Sequence, residues 1–360
     1  MVGVPRDRPE ASGTCQPPAA WIPSRVDLSH REDGSMTTIR RDGVHWTGPS
    51  VSICVITYKR PEGLRRLLTG INGQEFSGTP PGRVEVVVVD NDPEGSAAAI
   101  CGELATASRW PIVYKVEPRR GIPFARNTAL LSVSPESEFI AFLDDDEVPS
   151  PQWLEAILRV QAEFDADVVM GPVIPHYIEP PPQWIVEGRF FDRLHRPTGT
   201  RLQSAHTNNV IVRASVIRHL QIRFNEDMAL TGGADTHFFM QIVRAGYKIV
   251  FAEEAVVHEW LPPSRVNAVW ILQRAYRLGT TLGLCERDLA GSARVLFVRL
   301  AKGIGRIVFG TLYVALVPWF SSRRIKAEVV RGMRSIMFGA GMVAGIMGWR
   351  YEEYRRVHGV

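Results

Sequence analysis

Three aspartates and a glutamate, Asp144, Asp145, Asp146 and Glu147, stand side by side in FLDDDEVPSP (142–151). Adjacent carboxylates repel one another, so a functional run of four calls for a compensating cation. Oxygen ligands suit Mg2+ or Mn2+, and Mg2+ commonly binds through one or two carboxylates plus substrate phosphates. The D-x-[DN]-x-[DN]-G spacing of a calcium-binding loop is missing. A second acidic pair, Asp90 and Asp92, closes the run VVVVDND; taken alone, Asp90 suits a cap or turn. Thr57, Tyr58, Lys59 and Arg60 offer a hydroxyl, an aromatic face and two cations. Such groups stack and hydrogen-bond a nucleobase and meet its phosphates. Arg119, Arg120 and Gly121, then Arg126 and Asn127, add further cations. Gly232 and Gly233 deliver Asp235 to a helix start, where the helix dipole favours an ionised carboxylate; a capping role fits the same position. His258, after a strand-like stretch, is a candidate metal ligand or diphosphate contact.

These residues need a frame. VSICVIT (51–57) and VEVVVV (84–89) are short β-branched runs of the kind found in parallel strands covered on both faces. PEGLRRLLTGI (61–71) lies between them with Leu64, Leu67, Leu68 and Ile71 at helical spacing. Strands at 112–116, 138–143, 167–173, 208–213 and 247–252 alternate with helices at 124–133, 151–164 and 235–246. That alternation predicts an open, mostly parallel α/β sheet flanked by helices, with ligands beyond the carboxyl ends of its strands. The polar residues singled out above follow strands. The stretch from 175 to 199, rich in Pro, Gly and aromatics, reads as a long functional loop, and the chain reads as helical from 264 onward.

Composition narrows the class. Hydrophobic residues make up 45% and charged residues 22% of the 360 residues, which supports a large core and excludes wholesale disorder. Cys15, Cys54, Cys101 and Cys285 form no Cys/His cluster, so neither a zinc site nor a disulfide scaffold is expected. No P-loop and no G-x-S-x-G nucleophile motif is present. Residues 1–48 read as a disordered leader without a signal-peptide core. The formal charge of +4 is unevenly spread, because residues 291–360 hold 12 Lys and Arg against 3 Asp and Glu. A basic tail on an acidic body argues against nucleic acid and for an anionic membrane surface. Two 14-residue apolar runs (307–320 and 336–349), bracketed by arginines, are shorter than the roughly 20 residues a spanning helix needs. A helical, membrane-associated tail over 263–360 is the expectation, with spanning, lying on and only packing near the bilayer all left open. Gly341 and Gly345 form a G-x-x-x-G pair suited to close helix packing.

SICVITYKRP, VVVVDND, RGIPFARN, FLDDDE and GGADTHFF occur in an order and spacing that resembles glycosyltransferase family 2 over roughly residues 50–260. The resemblance is to bacterial members that build exopolysaccharides on lipid carriers. It implies a GT-A fold over 49–262 and an inverting hexose transfer from a UDP-sugar, commonly UDP-glucose, to a saccharide or lipid-linked saccharide. It implies Mg2+ or Mn2+ as cofactor and a place on the cytoplasmic face of the inner membrane. Thr57, Tyr58 and Asp90 match positions that hold the base, and Arg126 lies in the motif lining the nucleotide side. Asp144 and Asp146 match the ends of the D-x-D element, the first near the ribose and the last on the metal, with Asp145 between them on the donor. Asp235 matches the general base of an acidic pair whose first member is here Ala234. Competing readings are a glycoside hydrolase, a nucleotidyltransferase and a non-catalytic, membrane-bound carbohydrate-binding protein.

Overall fold

The computed structural model describes residues 48–351, apart from 79, 194, 291 and 321–323. The leader predicted over 1–48, Gly48 excepted, and Cys15 lie outside the described residues. Eleven strands and ten α-helices follow in order: β1 Ser50–Thr57, α1 Pro61–Asn72, β2 Arg83–Asp90, α2 Ala98–Ala105, β3 Ile112–Val116, α3 Ile122–Ser132, β4 Phe139–Asp144, β5 Glu147–Pro149, α4 Trp153–Phe164, β6 Val168–Met170 and β7 Val173–Tyr177. After these come α5 Gln183–Gly188, β8 Arg201–Leu202, β9 Val210–Arg213, α6 Ala214–Leu220, α7 Ala234–Arg244, β10 Ile249–Phe251, β11 Val257–Leu261, α8 Ala268–Leu289, α9 Ala293–Phe320 and α10 Ile325–Ile346.

The main sheet has the order β3-β2-β1-β4-β9-β6-β10-β8. Its first four strands are parallel, and β9 runs antiparallel between β4 and β6. Period-two alternation divides the sheet's side chains between two cores. Val51, Ile53, Val55, Val84, Val86 and Val88 pack with α1 and α4, whereas Cys54, Val87 and Val89 pack with α3 and α7. Burial on both faces is why these strands read as unbroken apolar runs. Thr57 pairs with Asp90, and Ile56 with Asp144. Three polar strand ends therefore arrive together at one sheet edge.

The predicted strand at 167–173 is two strands in different sheets. β6 belongs to the main sheet and β7 to a small sheet ordered β5-β11-β7. The break falls at Gly171, where a Cβ would lie 2.1 Å from the Ala255 carbonyl and 2.6 Å from Asn209 Nδ2. The backbone must come this close for Asn209 to donate to both Pro172 O and Ala255 O.

The C-terminal helices are longer than their apolar runs. α9 has 28 residues and α10 has 22, enough by length and composition to cross a bilayer. The helices exceed the runs on their N-terminal sides, where polar residues interrupt the hydropathy: α9 ends with its run at Phe320, and α10 ends at Ile346, within its run. α10 packs on α8 through glycines: a Cβ on Gly341 would meet Tyr276 O at 2.0 Å, and one on Gly345 would meet Thr280 O at 2.2 Å. Toward α9, Gly339 lies against Gly303 and Gly332 against Gly310. Nor is this segment an appendage to the α/β part. Cys285 of α8 belongs to the core around Phe238 and Phe239, and Ile271 and Val330 pack with Ile185, Phe191 and Leu261.

Candidate active site

The site grows from the turn between β4 and β5. Main-chain and side-chain bonds fold the acidic run so that its members face different neighbours. Glu147 is buried and accepts the Asp144 amide at 3.0 Å. Asp145, also buried, accepts from Thr57 Oγ1 at 2.9 Å and from Arg60 at 3.0 Å. Asp144 faces Arg126 Nη2 at 3.1 Å. Asp146 sits between Arg60 and Arg265, each at 3.2 Å. Arg265 and Arg193 both reach Glu259 on β11, which pairs in register with Glu147. Tyr58 presents its ring with the Lys59 and Arg120 cations each 5.7 Å from its centroid.

The other carboxylate comes from the start of α7. Gly233 precedes it at φ 87°, a left-handed conformation that side chains disfavour. A Cβ there would also strike Thr281 of α8 at 2.0 Å. This turn aims Asp235 into the cavity, where Oδ2 meets His206 Nδ1 at 3.3 Å and Oδ1 accepts the Thr236 amide at 2.7 Å.

One cleft of about 970 Å³ is lined by Thr57, Tyr58, Arg60, Arg126, Asp144, Asp145, Asp146 and Asp235. Burial raises the Asp144 carboxyl to about 7, helped by Asp146, Asp145 and Asp235 and opposed by Arg126. Burial likewise lifts Asp145 to about 6 against the pull of Arg60. Glu147 is pushed well above its ordinary value by burial and by Asp144. Burial works the same way on Asp235, but the hydrogen bond and charge of His206, with Arg126, overcome it and hold this carboxyl well below the usual range.

Asp90 and His258 do not line the cleft, and neither do Lys59, Asp92, Arg119 and Asn127. Asp90 is fully buried, and its carboxylate accepts the Asp92 and Ala97 amides and the Tyr114 hydroxyl. It ties the loop after β2 together, as its turn-forming chemistry allowed, and its neighbour Asn91 lines the cleft instead. His258 alternates with Glu259 along β11 and faces the other way. There its Nδ1 lies 2.7 Å from His176 Nε2, and it contributes nothing to the acidic cluster. His206, Glu259, Arg193 and Arg265 reach the cleft without having been singled out. Nothing in their local sequence marks them, apart from the nearness of Glu259 to His258.

The donors available fit a hard divalent cation bound through few protein ligands. Asp144 and Asp146 are carboxylates with 37% and 22% of their side chains exposed, at the cleft wall. Among the described residues, no three His, Cys, Asp or Glu side chains are grouped as a cage. Binding through one or two carboxylates plus phosphate oxygens is the mode this leaves.

A mixed sheet, parallel over its first four strands and with acids clustered at their carboxyl edge, is an arrangement of the GT-A type. The family model described as glycosyl transferase family 2 matches residues 52–221, and the model described as glycosyl transferase family group 2 matches residues 139–348. The chain is 32% identical over 307 residues to the succinoglycan biosynthesis protein ExoM of Rhizobium meliloti (strain 1021), covering 84% of this chain and 95% of that one. It is 27% identical over 210 residues to the glycosyltransferase AglE of Haloferax volcanii, covering 58% and 66%. The mannosyltransferase PcManGT of Pyrobaculum calidifontis, solved with GDP-Man and Mn2+, shares the fold with a TM-score of 0.57 at 19% identity, over 87% of this chain and 90% of that one. This chain belongs to glycosyltransferase family 2.

Proposed function

We propose that the protein is an inverting hexosyltransferase that moves a sugar from a UDP-sugar to a saccharide, lipid-linked acceptor in bacterial polysaccharide synthesis. The observation that carries this reading is the single cleft holding both an acidic donor end and a separate, ionised carboxylate. In this reading Thr57 and Tyr58 would receive the base, Tyr58 by stacking, and Arg60, Arg126 and Arg265 would meet its phosphates. Asp144 and Asp146 are the residues that would hold Mg2+ or Mn2+, which when bound neutralises charge on the departing diphosphate. Asp235 takes the proton from the acceptor hydroxyl as its oxygen attacks the anomeric carbon on the face opposite the diphosphate. Configuration inverts, and the proton rests on Asp235. His206 orients that carboxylate and keeps it ionised between turnovers. A positioned base of this kind typically contributes about 10²–10⁴-fold.

The similarity to ExoM, a succinoglycan biosynthesis protein, supports the polysaccharide role. Association with the cytoplasmic face of the inner membrane is supported by α9, whose Phe297, Phe309, Leu312, Leu316 and Trp319 are all exposed. Arg306, Arg331 and Arg334 fall within α9 and α10 and line the cleft. A charge at the centre of a spanning helix costs about 2.5–3.5 kcal/mol on insertion scales. That cost favours helices lying at the headgroup level over a crossing hairpin. The deciding experiment offers UDP-glucose, UDP-galactose, UDP-N-acetylglucosamine and GDP-mannose, with Mn2+ or Mg2+, to membranes carrying lipid-linked saccharides. Nucleoside diphosphate release coupled to a new glycosidic bond is expected with one UDP-sugar. Pyrophosphate release, or donor hydrolysis with no transfer, would overturn the reading.

A further inference from the structure

The helix that carries Asp235 presents two different faces. Phe238, Phe239 and Ile242 of α7 enter the core that also holds Val87 and Val89. His237, Gln241 and Arg244 stand at i, i+4 and i+7, a single stripe along the side that meets α8. His237 follows Asp235 by two residues, about 200° around the helix, and no member of the stripe lines the cleft. Each is matched by a polar partner. His237 Nε2 faces Asp288 Oδ2 at 2.6 Å, and Gln241 Nε2 lies 3.2 Å from His237 Nδ1. Arg244 donates to Glu286 Oε2 at 3.1 Å and to the Leu289 carbonyl. Glu286 is buried, and its other oxygen takes Arg299 of α9 at 2.5 Å.

Apolar side chains would join these two helices at least as firmly. Replacing a buried ion pair by well-packed hydrophobic residues is often neutral or stabilising, whereas paired polar groups can fix one register. Apolar surfaces tolerate sliding; a carboxylate held between two guanidinium groups does not. Register matters at the other end of α7. Asp235 Oδ2 reaches His206 Nδ1 at 3.3 Å, near the limit of a hydrogen bond, so a shift of about half an ångström breaks the contact. Gly233 is closed in by Thr281 of α8, and Cys285 Sγ lies 3.9 Å from its carbonyl. α8 therefore holds α7 at the turn that starts it, one turn further on and at its last residue. Asp235 itself is faced by His206 and Arg126, with Asp144 and Cys285 near enough to feel its charge.

We infer that Glu286 and Asp288 of α8 are positioning residues for the transfer step: through Arg244 and His237 they fix the register of α7 and hold Asp235 against His206. This deepens the transferase reading and rests on Asp235 as its base. The C-terminal helices then serve the reaction directly, because α8 sets the place of the base and Arg299 ties the same carboxylate to α9. A displacement of about 1 Å at a reacting group can cost about 10²-fold in rate.

The test uses the full chain in a neutral detergent, with the sugar nucleotide and acceptor that support transfer and with UDP as the calorimetric probe. Glu286→Gln and Asp288→Asn keep shape and lose the charge. Asp288→Glu keeps the carboxylate, and Ile157→Val removes a methyl group from the core on the other face of the sheet. Glu286→Gln and Asp288→Asn are expected to lower kcat about tenfold, to leave UDP affinity unchanged and to move the acidic limb of the kcat profile to higher pH as Asp235 loses His206. Asp288→Glu should stay near wild type, and Ile157→Val should lower the melting temperature with kcat and the limb in place. The Asp288 side chain is 54% exposed, so Asp288→Asn keeps the test open should Glu286→Gln fail to fold. A lower melting temperature with an unmoved limb in both charge-loss variants would make these pairs mere packing and overturn the inference. UDP affinity falling in step with kcat would overturn it too, by assigning the pairs to the shape of the whole cleft. Asp235→Asn is assayed alongside. Normal turnover there would remove the base, and the positioning of it as well. An inactive Asp235→Asn beside normal Glu286→Gln and Asp288→Asn would remove the positioning alone and leave the base standing.

Discussion

Two groups of carboxylates share one cleft and are held in opposite states. At the β4–β5 turn, burial and crowding push Asp144 to about 7 and Asp145 to about 6, although each has an arginine partner. At the start of α7, Asp235 is held well below its ordinary value, because His206 and Arg126 outweigh the cost of burial. Both places are rich in charge, so composition does not separate them. The difference lies in the number of acids per cation. The turn packs four acids against three arginines, Arg60, Arg126 and Arg265, the last of them shared with Glu259, so negative charge is in excess there. Asp235 is held ionised by His206 and Arg126. The roles proposed for them, a cation site and a base, have different electrostatic needs, and the two surroundings differ accordingly.

Breaking the base should have the largest effect. Asp235→Asn keeps size and hydrogen-bonding capacity, and is expected to lower kcat by about 10²–10⁴-fold with sugar-nucleotide affinity intact. Activity near wild type in a folded protein would remove Asp235 from its role. Breaking the other side comes next: Asp146→Ala should abolish the gain in UDP affinity that Mn2+ gives. Calorimetry showing the same UDP affinity with Mn2+ and with EDTA would exclude the cation at this turn.

His206→Gln sharpens the contrast. Without the imidazole, the Asp235 carboxyl rises toward its ordinary range, so the acidic limb of the kcat profile should move to higher pH. A moderate fall in kcat, about tenfold, should accompany the shift. A fall in kcat with an unmoved limb would reduce His206 to a packing residue.

The smallest expected effect is on stability. Folding raises Asp144 and Asp145 above their ordinary values, so the folded state holds more protons and cation-free protein loses stability as pH rises from about 4 to about 7. Asp235 acts oppositely, its contribution being lost only on acidification below the ordinary carboxylate range. Under the proposed cation role the metal replaces protons at the turn, so Mn2+ with UDP should raise the melting temperature more at pH 8 than at pH 5.5. Equal shifts at the two pH values would show that the turn does not exchange protons for a cation.

The local parts of this protein were legible. β1, β2 and β4 announce themselves as β-branched runs because both of their faces are buried, and their polar ends follow at once in the chain. The acidic turn and the Gly-Gly-Ala-Asp start of α7 are contiguous, so their chemistry can be read without knowing what surrounds them. Asp90 shows where such reading stops. It stands at the right edge of the sheet, but its carboxylate is consumed by Ala97 N and Tyr114 Oη, contacts set by how the following loop folds back.

Sequence by itself determined the α/β frame, the edge on which the chemistry lies, and the acids at its two contiguous motifs, since burial pattern and backbone conformation are local properties. Tertiary structure alone decided that His206, Arg193, Glu259 and Arg265 join them while His258 turns away, because one step along a β-strand reverses the face a side chain presents. It alone decided that helices read as two short apolar runs extend to 28 and 22 residues. Their glycines let α8, α9 and α10 approach backbone to backbone, and that closeness gathers arginines from three helices along one wall.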